Sequence, residues 1–273
     1  MDLILLGTGS PPPDPNTSGQ ADGIVVDGRL YLVDAGRNVS RQITAAGFPI
    51  KEVDHLFFTH FHSDHFTGFA DFYISRWLFG GGAKVPLKVY GPNPVPEIVN
   101  RMLRYYEYDI EIRAEEGKTR EGLDIDVEVL VPGDSLEVEG IRVSVEKGTH
   151  HGNVDDIISY RFEAEGRSIV IASDGGPTEK LVPFAKGADV LVMHPCLPDQ
   201  IIELLGQTPE MAKIIAGHHA KTEEVGRTAA EAGVGKVVLS HLTPPMASMR
   251  QACEEIARHF DGEIIGGEDL MRI

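Results

Sequence analysis

The chain has 273 residues, 42% of them hydrophobic and 25% charged, which excludes a disordered chain and leaves ample material for a buried core. With 42 acidic against 25 basic side chains the formal net charge is −17, which argues against a broad phosphate-binding face, because nucleic-acid affinity is dominated by Lys and Arg. The two cysteines, Cys196 and Cys253, lack CxxC spacing and exclude a disulfide framework or a thiolate zinc site, so any metal must be held by imidazole and carboxylate.

Taken in chain order, LILLG (3–7), GIVVDG (23–28) and LYLVDAG (30–36) read as strands, separated from the start by the loop SPPPDPNTSG (10–19). Residues 37–47 read as a short helix closed by Gly47, and VDHLFFTH (53–60) as a strand. HFTGFADFYISRWLF (65–79) has helical spacing of its large apolar residues and is broken by GGGAKVP. LKVYGP follows as a strand and VPEIVNRMLRYYEY as a helix. A run of strands comes next: DIDVEVLV, DSLEVEG, IRVSVEKG, ISYRFEAEG and RSIVIAS, the last two joined as a hairpin through a Gly-containing turn. Helix and strand then alternate through TEKLVPFAKG, DVLVM, TEEVGRTAAEAG, KVVLSH and MASMRQACEEIARHF. The pattern implies an α/β fold of two mixed sheets packed face to face with helices on the outer faces, as one domain spanning 1–273. The apolar runs fall far short of the roughly 20 residues of a membrane span. The start, MDLILLGTGS, has no signal-peptide flank or cleavage region, so a cytoplasmic location away from membranes is expected.

The chemistry concentrates in THFHSDHFTG. His60 and His62 are two apart in extended chain and face one way, and Asp64 with His65 follows a turn. Burying four such groups without a cation would leave expensive polar atoms unpaired. Further donors stand at other strand ends: His150 and His151 after IRVSVEKG, Asp174 after RSIVIAS and His241 after KVVLS. Carboxyl ends of strands are where α/β folds build ligand clefts, so His60, His62, Asp64, His65, His151, Asp174 and His241 are expected at one edge, on metal. His55 and His259 are left as structural or solvated. Trp77 and Phe79, GGG at 80–82 and TPPM at 243–246 are candidate pocket walls; Arg76 and Arg161 are expected to pair with acidic neighbours.

These motifs resemble the metallo-β-lactamase fold hydrolases, and within them the ribonuclease Z and arylsulfatase-like branch. GTGSPPPDPNTSG, YLVDAG, HSDHFTGFADFYISRW, VYGP, HHGNVDDIISYRF, IVIASDG and VVLSHLTPP carry the resemblance almost end to end. It implies a four-layer αββα sandwich and two divalent metals, with zinc expected and manganese or iron compatible with the same donors. It also implies His60, His62 and His151 on one ion, Asp64, His65 and His241 on the other, and Asp174 between them. His151 is preferred because the branch pattern runs His-Gly and then Tyr-Arg, which leaves His150 as a neighbour. His219, in AGHHAKTEE, aligns with a histidine that assists the leaving group, and His218 is expected to point elsewhere. His194 aligns with the first residue of a His-Glu-Ala-Thr motif, but Pro195 stands where the glutamate would be. Around Asp174 the chain reads ASDGG instead of the usual Ser-Gly-Asp-Thr.

A two-metal site lowers the pKa of bound water towards about 7 and clamps attacking and leaving oxygens, with Asp64 holding or deprotonating the nucleophile. The expected activity is therefore hydrolysis of a small ester (phosphodiester, sulfate ester or lactone) by metal-bound hydroxide. Two alternatives stand: a ribonuclease Z-like endonuclease that processes tRNA 3′ ends, and a non-catalytic protein that holds a ligand on metal. In the resembled family, long-form ribonuclease Z grips tRNA with an arm between the Tyr-Arg strand and the strand leading to the bridging aspartate. Here FEAEGR alone joins them, so nucleic acid is not the expected partner. The resemblance also implies a homodimer.

Overall fold

The computed structural model describes residues 1–79, 81–148, 156–177 and 179–273. Among the described residues the first sheet runs in chain order: β1 (Asp2–Gly7), β2 (Ala21–Val26), β3 (Arg29–Val33), β4 (His55–Phe57), β5 (Leu87–Gly91) and β6 (Ile125–Val129). It is antiparallel as far as β3 and parallel from β3 to β6. In the second sheet β7 (Ser135–Val138), β8 (Ile141–Lys147), β9 (Ile158–Ala164) and β10 (Arg167–Ile171) are antiparallel neighbours, and β11 (Val190–Met193) joins β10 in parallel. The short strands β12 (Pro195–Cys196) and β13 (Ala220–Lys221) pair separately, and β14 (Lys236–Leu239) and β15 (Glu263–Gly266) extend the second sheet in parallel.

Strand alternation explains why the apolar runs are nearly continuous. In β1, Leu3 and Leu5 face the layer between the sheets, while Ile4 and Leu6 face the outer layer. In β11, Val190 and Val192 face inward and Leu191 and Met193 outward. Helices α1 (Val39–Ala45), α2 (Ser63–Phe66), α3 (Phe69–Leu78) and α4 (Val95–Glu115) follow the first sheet's strands. Val39 and Ile43 of α1, Phe72 and Trp77 of α3, and Val99 and Met102 of α4 cover that sheet's outer face. On the other side come α5 (Leu181–Ala185), α6 (Ile201–Leu205), α7 (Pro209–Gly217), α8 (Thr222–Ala232) and α9 (Met249–Ile256). Of these, α5, α8 and α9 supply Leu181, Val225 and Ile256 to the second sheet's outer layer. The result is two mixed sheets face to face with helices outside, as the alternating pattern implies, and so the αββα sandwich that the resemblance implies. Each fully buried side chain of this kind contributes about 1.5–3 kcal/mol. No helix among the described residues is long and apolar enough to cross a membrane.

The hairpin at EAEGR has a two-residue turn, with Ala164 opposite Arg167 and positive φ at Glu165 and Gly166 (52° and 72°), the handedness that matches strand twist. Other expectations change. The helix anticipated over 65–79 is two helices, α2 and α3, broken at Gly68, where a Cβ would run into the Gly36 carbonyl oxygen. The strand anticipated over 53–60 pairs only at 55–57, because the chain beyond it turns into the histidine cluster. Helices α6 and α7 lie in a stretch for which the sequence pattern implies no element; their Ile201 and Ala212 form a small buried cluster with Cys196 of β12.

Candidate metal centre

Parallel pairing brings the carboxyl ends of β3, β4, β10, β11 and β14 to one edge of the sandwich. Asp34 follows β3, His60 and His62 follow β4, Asp174 follows β10, His194 follows β11 and His241 follows β14. His62 is extended (ψ 143°) and caps α2, whose single turn then supplies Asp64 and His65. Ties across the sandwich hold the segment in place: Ile158 N–H donates to the Thr59 carbonyl (3.1 Å) and the Tyr160 hydroxyl to the Phe58 carbonyl (2.7 Å).

Three groups of donor atoms converge, each lying within 4.8 Å of one another: His60, His62 and Asp174; Asp64, His65 and His241; Asp174, His219 and His241. Asp174 is common to two of them. His60 Nε2 is 3.1 Å from His62 Nδ1, and His241 Nε2 is 2.8 Å from Asp64 Oδ2. Asp34 sets the imidazole tautomers. It accepts hydrogen bonds from Thr59 N–H (2.8 Å), the Thr59 hydroxyl (2.7 Å) and His65 Nδ1–H (2.8 Å). With the Thr59 hydroxyl proton committed to Asp34, His60 Nδ1–H donates to Thr59 Oγ1 at 3.0 Å, so Nε2 carries the lone pair. His65 Nε2 is then also a lone-pair nitrogen. Among the described residues this buried atom has no hydrogen-bond partner, and neither have both ring nitrogens of His194 nor His241 Nδ1. Buried orphan nitrogens beside buried carboxylates are what a divalent cation satisfies. Imidazole and carboxylate are donors that zinc accepts, and the residues present fit such an ion.

The electrostatics are those of two ionised carboxylates sharing a buried site. Burial works against ionisation of Asp64, but the His241 hydrogen bond and the neighbouring imidazoles outweigh it and hold the carboxyl far below the usual range. Asp174 is likewise held well below it, His219 and His241 outweighing its burial. Burial opposes a charge on His241, yet Asp174 and Asp64 push it up to about 9. His194 is driven well below its usual value, chiefly by burial. The site therefore draws positive charge towards its carboxylates.

His219 follows α7, where its Nδ1–H donates to the Ile215 carbonyl (2.8 Å) and its Nε2 stands 3.4 Å from Asp174 Oδ2. Burial opposes its charged form, but Asp174 outweighs this and raises its pKa. His218, expected to point elsewhere, lines the same cavity as His219. His194 Nδ1 is 3.9 Å from Asp174 Oδ1, and its ring stacks on His241 with centroids 5.0 Å apart. His150 and His151 lie outside the described residues.

Trp77 is a correction: it belongs to the core under α3, fully buried, with Nε1–H donating to the Thr119 carbonyl (2.9 Å), because α3 turns that face towards the sheet. Phe79 is 61% exposed and does not line the cavity, whereas Thr243, Pro245 and Met246 do. Arg76 pairs with Asp54 and donates to backbone carbonyls, and Arg161 pairs with Glu163. Asp34 is not among the residues that the sequence pattern singles out. Its signal was a carboxylate at a strand's carboxyl end, and the structure adds a left-handed backbone (φ 58°) at a position followed by Ala-Gly.

Over these donors lies a cavity of about 650 Å³, with His62, Asp64, Asp174 and His219 among its lining. The model of the beta-lactamase superfamily domain matches residues 29–242. Ribonuclease Z of Mycobacterium sp. (strain KMS) is 34% identical over 276 residues, covering 100% of this chain and 95% of that one. The metallo-β-lactamase fold protein YhfI from Bacillus subtilis superposes with a TM-score of 0.77 at 19% identity, over 100% of this chain and 98% of the other. Human tRNase Z, short form, superposes with a TM-score of 0.75 at 20% identity and the same coverage.

Proposed function

The chain belongs to the beta-lactamase superfamily, as a hydrolase of the metallo-β-lactamase fold, and from that premise we propose that it cleaves phosphodiester bonds at a two-metal centre. The observation that carries this reading is the buried edge where orphan imidazole nitrogens meet two ionised carboxylates. His60, His62 and Asp174 would hold one divalent ion and Asp64, His65 and His241 the other; the sequence resemblance adds His151, outside the described residues, to the first. Zinc is the ion we assign to these donors, since imidazole with carboxylate is its usual company. Bound there, the pair supplies Lewis acidity to a phosphoryl group.

The chain's own groups do the rest. Asp64, kept ionised beside His241, accepts a hydrogen bond from the attacking water and orients it. Asp34 holds His65, and through Thr59 holds His60, in fixed tautomers. His219 presents Nε2 to the cavity because Nδ1–H is committed to Ile215, and from Nε2 it passes a proton to the leaving oxygen.

Two substrate classes are supported by different observations. Ribonuclease Z relatives that match the whole chain support RNA, and with it the alternative of tRNA 3′-end processing that the sequence resemblance carries. A cavity whose described lining includes neither Lys nor Arg supports a small ester. The test is turnover of precursor tRNA and of bis(p-nitrophenyl) phosphate by zinc-loaded protein, with metal analysis on the same preparation. His62→Ala is expected to lose both activity and metal. Two equivalents of zinc and full turnover in that variant would refute the assignment.

A further inference from the structure

We propose that the preferred substrate is a phosphodiester carrying a bulky, uncharged apolar group, seated against Leu204, Leu205, Ile215 and Met246 while the reacting phosphoryl faces Asp64 and His219. This rests on the phosphodiesterase reading above and names the substrate class for that site. Apolar side chains reach the cavity from three separate segments: Pro11 and Pro12 from the loop after β1, Leu204 and Leu205 from α6 with Ile215 from α7, and Pro245 and Met246 from the turn after His241. Leu205 and Ile215 rest on the small cluster of Cys196, Ile201 and Ala212 and also line the cavity, so their positions are fixed by packing.

The apolar face does not stop at the rim. Along α7 and its C-cap, Met211, Ile215 and His218 stand at i, i+4 and i+7, one face of the helix, and Ile215 and His218 line the cavity. Met211, one turn further out, is 44% exposed and its neighbour Ile214 50%. Met246 on the opposite lip is 53% exposed. An apolar surface thus runs from the acidic floor outward, which suits a hydrocarbon or aryl group leaving the metal centre. RNA asks for the reverse. Its phosphates are gripped by Lys and Arg, which the described lining lacks and which are outnumbered by acids over the whole chain, 25 against 42. A volume of about 650 Å³ is of the size that encloses a small organic ligand.

In the reaction the water oxygen bonds to phosphorus as the ester P–O bond breaks. The departing oxygen takes a proton from His219 Nε2, one water proton restores His219, and the other remains on the phosphate monoester or passes to solvent.

The test is a series of methyl, butyl, hexyl and octyl p-nitrophenyl phosphates with the zinc-loaded full chain. Full burial is worth about fourfold per methylene, so kcat/KM is expected to rise at least about tenfold from methyl to hexyl. Leu205→Lys and Met246→Lys are each expected to cut the hexyl-to-methyl ratio several-fold. Calorimetric binding of methyl- and hexylphosphonate, whose C–P bond is not hydrolysed, to the zinc-loaded protein gives a readout without turnover, and hexyl is expected to bind more tightly. A flat or falling series with clear turnover overturns this inference and leaves the hydrolase reading standing. Silence towards every ester, with hexylphosphonate still favoured, overturns the hydrolase reading while supporting the apolar seat. Precursor tRNA cleaved with a higher kcat/KM than the hexyl ester overturns the inference in favour of RNA.

Discussion

Asp34→Asn separates fold from metal binding. Asp34 is buried and accepts three hydrogen bonds, one on Oδ1 from Thr59 N–H and two on Oδ2, from the Thr59 hydroxyl and His65 Nδ1–H. The asparagine keeps its oxygen for Thr59 N–H and sets an NH₂ group where Oδ2 accepted. Two donors then meet a donor. The hydroxyl of Thr59 can rotate away, but His65 relieves the clash only by moving its proton to Nε2, which removes the lone pair that faces Asp64 across 3.8 Å. Losing a group that orients a metal-binding histidine typically costs 10–100-fold in affinity, about 1.4–2.8 kcal/mol. Unlike Asp34→Ala, which strands buried donors at about 1–3 kcal/mol each, the amide fills the same volume and preserves the fold. Zinc stoichiometry by mass spectrometry, competitive zinc titration and circular-dichroism melting on the same samples test this. Two equivalents of zinc at wild-type affinity in a folded Asp34→Asn protein would refute the tautomer role given to Asp34.

Other perturbations probe the frame around the site. Gly36→Ala places a Cβ against the Asp64 carbonyl oxygen and the backbone of Gly19, so the metal loop must shift; zinc content is expected to fall below one equivalent, and full loading would contradict the close packing. Trp77→Ala is expected to cost about 3–5 kcal/mol in urea unfolding while the folded fraction keeps its kcat, whereas a changed kcat on a small ester would return Trp77 to the cavity. Acidification should weaken the fold through His55, packed between Tyr31 and Tyr90. Burial lowers its pKa despite Glu139 and Asp54, with Lys88 acting in the same direction as burial, so the unfolded chain takes up the proton first. The His55 contribution is then intact above the unfolded pKa of about 6.5 and lost as the pH falls below it towards the folded value. Glu139, also lowered, adds a loss at more acid pH. The urea midpoint should therefore drop less between pH 7.5 and 5.5 in His55→Phe than in the wild type, and equal drops would exclude His55.

Much of this protein follows from local pattern. Alternation in LILLG and DVLVM marks strands buried on both faces, because each successive side chain enters a different layer. The spacing in THFHSDHFTG gathers four potential metal donors, His60, His62, Asp64 and His65, in one short stretch, and burying such a cluster unpaired is costly. What tertiary structure alone decided lies in pairs distant in sequence. Asp34 and His65 are 31 residues apart, and their hydrogen bond exists because β3 and β4 pair in parallel and α2 folds back over them. Trp77 had helical spacing compatible with either core or cavity, and only the docking of α3 on the sheet chose the core. The cavity walls on α6 and α7 had no pattern that set them apart, since a short amphipathic turn becomes a wall only when another element places the histidine and aspartate cluster beneath it. Local spacing records which groups travel together along the chain; which distant groups face them depends on strand order and helix docking, and that is settled by packing across the whole sandwich.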